Sequence, residues 1–175
     1  MANITRDRIL RGALDLLRSG MTVSLESAAE RAGLTKPGLM YHFPTKEALM
    51  VGLLDHVIDT WEAAFTQAIG GSGENTTAVT RIRAYVEFTL TADFDESDMV
   101  ILSDPRLREP LSRRWEERMA PWLALPTDLP DPTYGRVLAA RLLADGAWFA
   151  GATGILAPGP AERARVLAVA RELLD

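Results

Sequence analysis

The stretch AGLTKPGLMYHFPTKEAL, residues 32–49, decides the fold of this chain. It contains both lysines of the protein, Lys36 and Lys46, whereas the other 17 of the 19 basic residues are arginines. A Gly-Leu turn precedes Thr35, which can cap a short helix, and Pro44 ends that helix. Two short helices joined by such a turn, with a first helix packed across them, indicate a helix-turn-helix unit.

Apolar residues at helical spacing predict α-helices along nearly the whole chain and no strand of useful length. The predicted helices cover approximately residues 5–19, 24–32, 35–43, 45–69, 75–92, 95–103, 105–123, 132–152 and 159–174. Thr5 is expected to cap the first helix, and the long fourth helix is expected to link two parts. We therefore predict an all-α fold, in which a three-helix helix-turn-helix head at residues 1–48 precedes a helical body at residues 49–175.

The composition is that of an ordinary globular protein, since 47% of the 175 residues are hydrophobic and 25% are charged. The lack of cysteine excludes disulfides, thiol catalysis and cysteine metal sites, and it agrees with a cytoplasmic location. No apolar run approaches the ~18 residues of a membrane-spanning helix. Charges interrupt the N-terminal segment, so neither a membrane span nor a signal peptide is expected.

The charge is unevenly distributed along the chain, although the net charge is only −5. Residues 1–46 carry seven basic and four acidic residues, a balance of +3. The remaining 129 residues carry 12 basic and 20 acidic residues, a balance of −8. A polyanionic partner is therefore expected to meet the head rather than the body. Chance is the alternative explanation for so small an excess.

In a helix-turn-helix unit the second short helix enters the major groove, with its N-terminal residues at the base edges. Lys36 is placed to reach a guanine edge or a phosphate, while Pro37 and Gly38 let the backbone approach the DNA closely. Thr35 can bind a phosphate through its hydroxyl or the helix N-terminus, and Tyr41 lies one turn later. The residues predicted to contact DNA are Thr35, Lys36, Pro37, Gly38, Tyr41, His42, Lys46, Ser24 and Arg6.

Other roles remain open for several of these side chains. Tyr41 and His42 can instead pack within the head, and Arg6 can be solvated surface. Lys46, at the start of the fourth helix, is placed for the opposite DNA backbone. Phe43 is expected in the core.

Two segments, RILRGALDLLRSG at residues 8–20 and VSLESAAERAGLTKPGLMYHFPTKEALM at residues 23–50, carry a more specific pattern. Residues 5–51, which contain both segments, closely resemble the DNA-binding head of the TetR family of bacterial transcriptional regulators. Many members carry a tyrosine where this chain has Met40, so Tyr41 is a candidate for the phosphate contact of that tyrosine. Direct base readout is expected to be sparse, because Pro37-Gly38 stands where many members place side chains that touch bases.

The resemblance implies that the helices of the body bind a small molecule. Aromatic and sulfur-bearing side chains recur there, and all four tryptophans lie in the body. The residues assigned to a ligand site are Trp61, Phe65, Phe88, Met99, Trp115, Met119, Trp122, Asp145, Trp148 and Phe149. Core packing is the alternative for each large apolar residue. Asp145 either pairs with Arg141 one turn earlier or faces the ligand.

The resemblance also implies a homodimer, and the last two predicted helices are its expected face. The stretch TYGRVLAARLLADGAWFAGATGIL, residues 133–156, is apolar on nearly every side, so it should be covered on more than one side. A monomer core is the alternative. A two-fold dimer would place two recognition helices against successive grooves of a palindromic duplex.

These features together predict a ligand-responsive regulator of transcription that binds double-stranded DNA, most often a repressor in such families. No cofactor or metal is expected, and the effector is a small molecule that the sequence does not identify. An enzyme is not expected, because two histidines, no cysteine and no phosphate-binding loop leave few catalytic groups. A helix-turn-helix-derived module that binds a protein instead of specific DNA is the remaining alternative.

Overall fold

The computed structural model describes residues 2–71 and 76–175 of the chain. These residues form eight α-helices, two 3-10 helices and no strand, which confirms the predicted all-α fold. The α-helices are α1 (Ala2–Arg18), α2 (Leu25–Arg31), α3 (Lys36–Met40), α4 (Lys46–Ile69), α5 (Ala78–Thr91), α6 (Arg108–Leu123), α7 (Asp131–Thr153) and α8 (Pro160–Leu174). The 3-10 helices are Glu96–Leu102 and Pro105–Leu107.

Side-chain hydrogen bonds fix where the helices of the helix-turn-helix begin. At the start of α2, Ser24 Oγ accepts from the amide of Ser27 at 3.0 Å, and Ser27 Oγ accepts from the amide of Ser24 at 2.9 Å. Thr35 caps α3 and Thr45 caps α4, each through a hydroxyl oxygen that accepts from the amide three residues on. Each cap satisfies an amide that has no partner inside its helix.

Two predicted helices differ from the structure, and a third is predicted to begin outside the described residues. Helix α1 begins three residues before Thr5, so Thr5 lies inside the helix rather than at its cap. Residues 96–102 form a 3-10 helix rather than an α-helix. There, Asp95 accepts from the amide of residue 97 and Asp98 from that of residue 95, and such local bonds compete with the α-helical ladder. Residue 75, where the fifth helix is predicted to begin, lies outside the described residues.

The chain divides into two compact units. The first unit consists of the residues up to Asp59 together with Asp95–Glu116, and the second consists of Thr60–Phe94 and Glu117–Asp175. The helix-turn-helix thus shares its unit with both 3-10 helices and the start of α6. The division predicted between residues 48 and 49 is a different partition and stays a prediction.

Small residues allow close packing in the first unit, where α1 contacts α2 and α2 contacts α3. Ala28 and Ala29 of α2 are buried, as expected for a thin helix. A Cβ atom on Gly12 of α1 would lie 3.1 Å from Cγ of Arg31, so α1 and α2 leave little room for a larger side chain. The 3-10 helix Glu96–Leu102 also packs against α1.

The second unit is built on mutual contacts among α5, α7 and α8. Alanines on α7 and α8, Ala140, Ala144 and Ala170, are fully buried where these helices meet. Helix α7 is capped at its C-terminus by Gly154, whose φ of +69° is the left-handed conformation that favours glycine there. Among the described helices, none combines the length and the apolar character that crossing a membrane requires.

Candidate DNA interface and effector site

The N-terminus of α3 presents the predicted DNA-reading side chains to solvent. Thr35, Lys36 and Pro37 are exposed, while Gly38 is half-buried beside the cap. A Cβ atom on Gly38 would lie 3.2 Å from Oγ1 of Thr35, the atom that accepts the Gly38 amide. Glycine at this position therefore keeps the helix cap uncrowded, in addition to the close DNA approach predicted from the sequence.

The aromatic end of the recognition helix carries one strongly exposed ring. Tyr41 is 85% exposed, so it does not pack within the head, and Met40 is partly exposed beside it. His42 is half-buried, and its ring meets the ring of Tyr41 edge-on with centroids 5.3 Å apart. The Tyr41 hydroxyl is thus free to reach beyond the surface of the unit, whereas His42 supports the ring.

Two predicted DNA contacts outside α3 are engaged within the first unit. The hydroxyl of Ser24 is half-buried and serves as the cap of α2. The guanidinium of Arg6 lies over the ring of Phe43, 4.4 Å from its centroid, and Phe43 is buried as expected. This cation–π contact positions Arg6, whose side chain remains exposed at the surface.

Both lysines of the chain are paired with carboxylates of the first unit. Lys36 Nζ donates to Glu26 of α2, and both side chains are largely exposed. Lys46 Nζ donates to Oδ2 of Asp104 at 2.6 Å. Both lysines that the sequence assigns to DNA are therefore neutralised in the free chain.

These ion pairs change the acidity of the carboxyl groups. The hydrogen bond from Lys36 holds the pKa of Glu26 below its ordinary value. The hydrogen bond from Lys46, followed by that from the backbone amide of Arg106, lowers the pKa of Asp104. Both carboxyl groups are therefore charged at neutral pH and remain partners of the lysines.

A continuous cluster of aromatic rings occupies the second unit. Trp61 is its centre, with ring centroids 5.2 Å from Phe88, 5.4 Å from Trp148 and 5.7 Å from Phe94. Further ring contacts link Phe65 to Trp122 at 5.3 Å, to Phe88 at 5.5 Å and to Tyr85 at 6.0 Å. Most of these pairs meet edge to face, the arrangement that aromatic quadrupoles favour.

The structure brings together five of the residues assigned to the ligand site, namely Trp61, Phe65, Phe88, Trp122 and Trp148. Trp61 and Phe65 are fully buried, so any ligand that touches them must first displace a group that covers them. Met119 is buried and Phe149 is exposed in the same unit. Met99 and Trp115 belong to the first unit.

A polar group adjoins this cluster through Tyr85. The Tyr85 hydroxyl donates to Oδ1 of Asp145 at 2.6 Å, and Arg141 Nε lies 3.6 Å from Oδ2 of Asp145. The predicted pairing of Asp145 with Arg141 is thus confirmed, with Tyr85 as an additional partner. Arg141 Nε is buried and has no hydrogen-bond partner among the described residues.

The environment of Tyr85 keeps its phenol protonated. Burial raises the pKa of Tyr85 strongly, and the charge of Asp145 and the hydrogen bond to it raise the pKa further. The phenol therefore remains a hydrogen-bond donor to the Asp145 carboxylate throughout the physiological pH range.

No site role is assigned from the sequence to four residues of these two sites: Glu26, Asp104, Tyr85 and Phe94. The Asp-Pro pair at residue 104 indicates a helix cap, but nothing local points to Lys46, which lies 58 residues away. Tyr85 lies one turn before Phe88 and could have been grouped with it by helical spacing. Phe94 follows the end of α5, where periodicity gives no signal.

Two family models match the chain. The family described as bacterial regulatory proteins, tetR family, matches residues 9–53, and the family described as tetracyclin repressor-like, C-terminal domain, matches residues 79–175. The second match alone covers more than half of the 175 residues. Both halves of the chain thus point to one family.

A curated relative matches over a short segment. The HTH-type transcriptional regulator RutR of Escherichia coli (strain K12) is 49% identical over 39 residues. This match covers 22% of the present chain and 18% of RutR. The similarity therefore concerns one segment and not the whole of RutR.

Solved structures share the fold over nearly the full length. A protein described as a TetR-family transcriptional regulator from Rhodococcus sp. has a TM-score of 0.64 at 17% identity, with 98% of this chain and 99% of that chain covered. A transcriptional regulator from Streptomyces coelicolor A3(2) has a TM-score of 0.63 at 25% identity, with 97% and 98% covered. The multidrug binding protein EbrR, complexed with imidazole, has a TM-score of 0.60 at 22% identity, with 97% and 94% covered.

These matches agree with the resemblance seen at residues 5–51 and extend it to the C-terminal helices. The helix-turn-helix geometry, the two family models and the shared fold lead to the same assignment. The chain belongs to the TetR family of bacterial transcriptional regulators.

Proposed function

We propose that this chain is a homodimeric repressor that binds a palindromic operator and leaves it when a small molecule binds the second unit. The proposal rests on the different side chains that the two units present. Exposed polar side chains gather at the N-terminus of α3 in the first unit, whereas aromatic rings and the Tyr85–Asp145–Arg141 group gather in the second.

On the DNA side, Lys36 and Thr35 lead α3 into the major groove, and Tyr41 reaches a flanking phosphate. The exposure of these three side chains supports these roles. With Pro37 and Gly38 exposing backbone rather than long side chains, few base edges are read directly. Sequence preference then depends partly on DNA shape and deformability.

On the effector side, the aromatic cluster favours a ligand with an apolar, ring-containing body. Phe88, Trp148 and Asp145 of the proposed site are half-buried, so they lie closer to solvent than Trp61 and Phe65. A polar substituent on the ligand can hydrogen-bond to Asp145 or to the buried Nε of Arg141. Such a site combines apolar contact with a few polar groups, as small-molecule sites usually do.

The last two helices supply a surface for a second copy of the chain. Large apolar side chains are exposed there: Tyr134, Leu142, Leu143, Phe149 and Val169. Burying such residues against their symmetry mates would stabilise a dimer through the hydrophobic effect. The dimer then sets the spacing of the two recognition helices at one helical repeat of DNA, ~34 Å.

Release from the operator requires that the effector bind one state of the dimer more tightly than the other, since equal affinity shifts no equilibrium. A ligand that enters the aromatic cluster would contact buried rings of α4, because Trp61 and Phe65 both lie on that helix. Helix α4 begins at Lys46, directly after the helix-turn-helix. A shift of α4 would therefore favour dimers whose recognition helices no longer match successive grooves.

The test of DNA recognition is fluorescence anisotropy with the intergenic DNA upstream of the gene and a random duplex of equal length. We expect tighter binding to the upstream DNA and a loss of about 5- to 100-fold for Lys36→Ala. Arg113→Ala is the matched control, because Arg113 is an exposed cation that pairs with a glutamate outside the helix-turn-helix. Equal binding of both duplexes would favour the protein-interaction module instead.

The test of effector response starts from a thermal-shift screen of apolar ring-containing compounds. A compound that stabilises the protein is then added to the operator complex, and we expect the operator affinity to fall by about 5- to 150-fold. A stabilising compound that leaves operator affinity unchanged at saturation contradicts the proposed release. One that raises the affinity would identify a co-repressor mechanism.

A further inference from the structure

The Lys46–Asp104 ion pair is better shielded from water than the Lys36–Glu26 pair. The Lys46 side chain is 37% exposed and that of Asp104 is 15% exposed. In the other pair, the Lys36 and Glu26 side chains are 46% and 63% exposed. Because water competes less for Asp104, its attraction to Lys46 is stronger than that of an ordinary surface pair.

Asp104 is also held in place by the backbone. Its Oδ1 accepts from the amide of Arg106 at 3.0 Å and caps the 3-10 helix Pro105–Leu107, while its Oδ2 accepts from Lys46. The neighbouring segment is tied to α1, because Arg18 Nε donates to Asp95 at 2.9 Å. The bond from the Arg106 amide therefore holds the carboxylate in place independently of Lys46.

A fixed carboxylate at this position opposes a DNA phosphate. Lys46 is the first residue of α4, and its ammonium has three donors, so it can turn toward a phosphate without unwinding the helix. A phosphate that approaches Lys46 also approaches the Asp104 carboxylate and is repelled by it. The ion pair thus weakens a DNA contact that the sequence of the head otherwise favours.

We propose that Asp104 is a positioning residue for DNA binding, which holds Lys46 in the free chain and competes with a DNA phosphate for its ammonium. The inference rests on the DNA-binding role of the head given above. In the complex, Lys46 turns to the phosphate and Asp104 is left with the Arg106 amide and solvent cations. Asp104 therefore lowers the affinity of the head for any DNA duplex, compared with a head in which Lys46 has no carboxylate partner.

The decisive variant is Asp104→Asn, which removes the charge and retains a side chain that caps helices well. The probe is a random-sequence duplex of about one and a half helical turns per head, at low salt, so that no operator or effector is needed. We expect Asp104→Asn to bind about 3- to 10-fold more tightly, which corresponds to removing one close charge repulsion. Circular dichroism and thermal unfolding verify that the variant remains folded.

The salt dependence of DNA binding distinguishes this proposal from a purely structural role of Asp104, because a structural role would leave the number of released ions unchanged. In the DNA complex of the wild type, Asp104 has lost Lys46 and attracts a cation from solution. DNA binding by the wild type therefore releases fewer ions in total than DNA binding by Asp104→Asn. The slope of log K against log salt should therefore be steeper for Asp104→Asn, by less than the ~0.9 that one full phosphate contact contributes. Glu109→Gln is the matched control, because it makes the same charge change in the same unit at an exposed carboxylate paired with Arg113.

A double-mutant cycle with Lys46→Ala separates exchange at Lys46 from a general charge effect. In the Lys46→Ala background, Asp104→Asn should gain no more affinity than Glu109→Gln does. An equal gain in both backgrounds overturns the proposal, as does an unchanged affinity for Asp104→Asn. Weaker binding of Asp104→Asn also overturns it, because Asp104 would then orient Lys46 rather than compete for it.

The inference is also overturned if neither the wild type nor any variant binds the random duplex at the lowest salt. In that case no phosphate would form an ion pair with Lys46. Failure of the proposed operator recognition has a different signature. There the wild type binds upstream and random DNA equally, while the affinity gain of Asp104→Asn on random DNA persists.

Discussion

The hydroxyl of Tyr85 on α5 donates a 2.6 Å hydrogen bond to the carboxylate of Asp145 on α7. Tyr85 is only 1% exposed, so its hydroxyl cannot be satisfied by bulk water. The other carboxylate oxygen of Asp145 lies 3.6 Å from Arg141 Nε, beyond ordinary hydrogen-bond length. The bond from Tyr85 is therefore the shorter of the two interactions and joins two packed helices at a charged group.

Tyr85→Phe should destabilise the protein, because it removes this donor and leaves a partly buried carboxylate with a weaker partner. Hydrogen bonds to charged groups contribute about 1.5–3 kcal/mol, and we expect a loss in that range from urea unfolding. Tyr134→Phe is the control, since it removes the same hydroxyl from a ring at the exposed start of α7. A loss no larger than that of the control would show that water replaces the Tyr85 hydroxyl.

Gly52→Ala should destabilise the first unit through a steric clash. A Cβ atom on Gly52 would lie 2.6 Å from Cε1 of Phe43, and this ring is confined because it is buried beneath Arg6. Overpacking typically destabilises by about 1–3 kcal/mol, which should exceed the ~1 kcal/mol that alanine gains over glycine in a helix.

The control for this change is Gly135→Ala, because no atom lies within 4 Å of a Cβ at that helical position. We expect Gly135→Ala to raise the free energy of unfolding by about 0.5–1 kcal/mol. Denaturant unfolding monitored by circular dichroism measures both variants. Equal stabilisation by both substitutions would mean that Phe43 yields without strain.

Local chemistry explains why the head was predictable. Thr35 and Thr45 cap helices through bonds to the third following residue, and Gly33 ends α2 with a φ of +65°, so each signal lies within one turn of its effect. The ion pairs differ in this respect. Lys46 pairs with Asp104, which lies 58 residues away in sequence. The charge balance of residues 1–46 includes Lys46 but not Asp104, so it overstates the net positive charge of the folded head.

In the second unit, periodicity predicted the helices but not which faces meet. The family resemblance assigned ten residues to one ligand site, yet five share ring contacts and Met99 and Trp115 belong to the first unit. Tyr85 joins Asp145 across 60 residues of sequence, a pairing that depends on how α5 packs on α7. Helical spacing defines the faces of one helix and carries no information about its neighbour.

The Lys46–Asp104 pair should make stability pH-dependent in the acid range. The folded-state pKa of Asp104 lies below its ordinary value of 3.8 because Lys46 and the Arg106 amide favour the carboxylate. Its stabilising contribution is therefore present above about pH 4 and is lost as the pH falls through the lowered pKa.

Asp104→Asn lacks this titration, so the stability difference between wild type and variant should shrink as the pH falls from neutral to about 2. Thermal unfolding across this range, with Glu109→Gln as the reference for an exposed carboxylate, measures the difference. If the stability difference between wild type and Asp104→Asn instead grew toward acid pH, the pKa of Asp104 would not be lowered in the folded state.

The exposed apolar face of α7 should be the site at which two copies of the chain meet. Leu142 is 58% exposed and Phe149, seven residues later, lies on the same side of the helix. Leu142→Glu should convert a dimer of 19.2 kDa chains into monomers, because a buried glutamate without a partner opposes association. Light scattering after size-exclusion chromatography measures the mass directly.

Leu102→Glu is the control for Leu142→Glu, since Leu102 is 50% exposed but belongs to the first unit, and it should leave the dimer intact. If the dimer sets the spacing of the recognition helices, Leu142→Glu should also weaken operator binding far more than binding to a single half-site. This ratio separates loss of the dimer from loss of folding, since unfolding would weaken both affinities alike. A variant that remains dimeric would place the interface elsewhere on the chain.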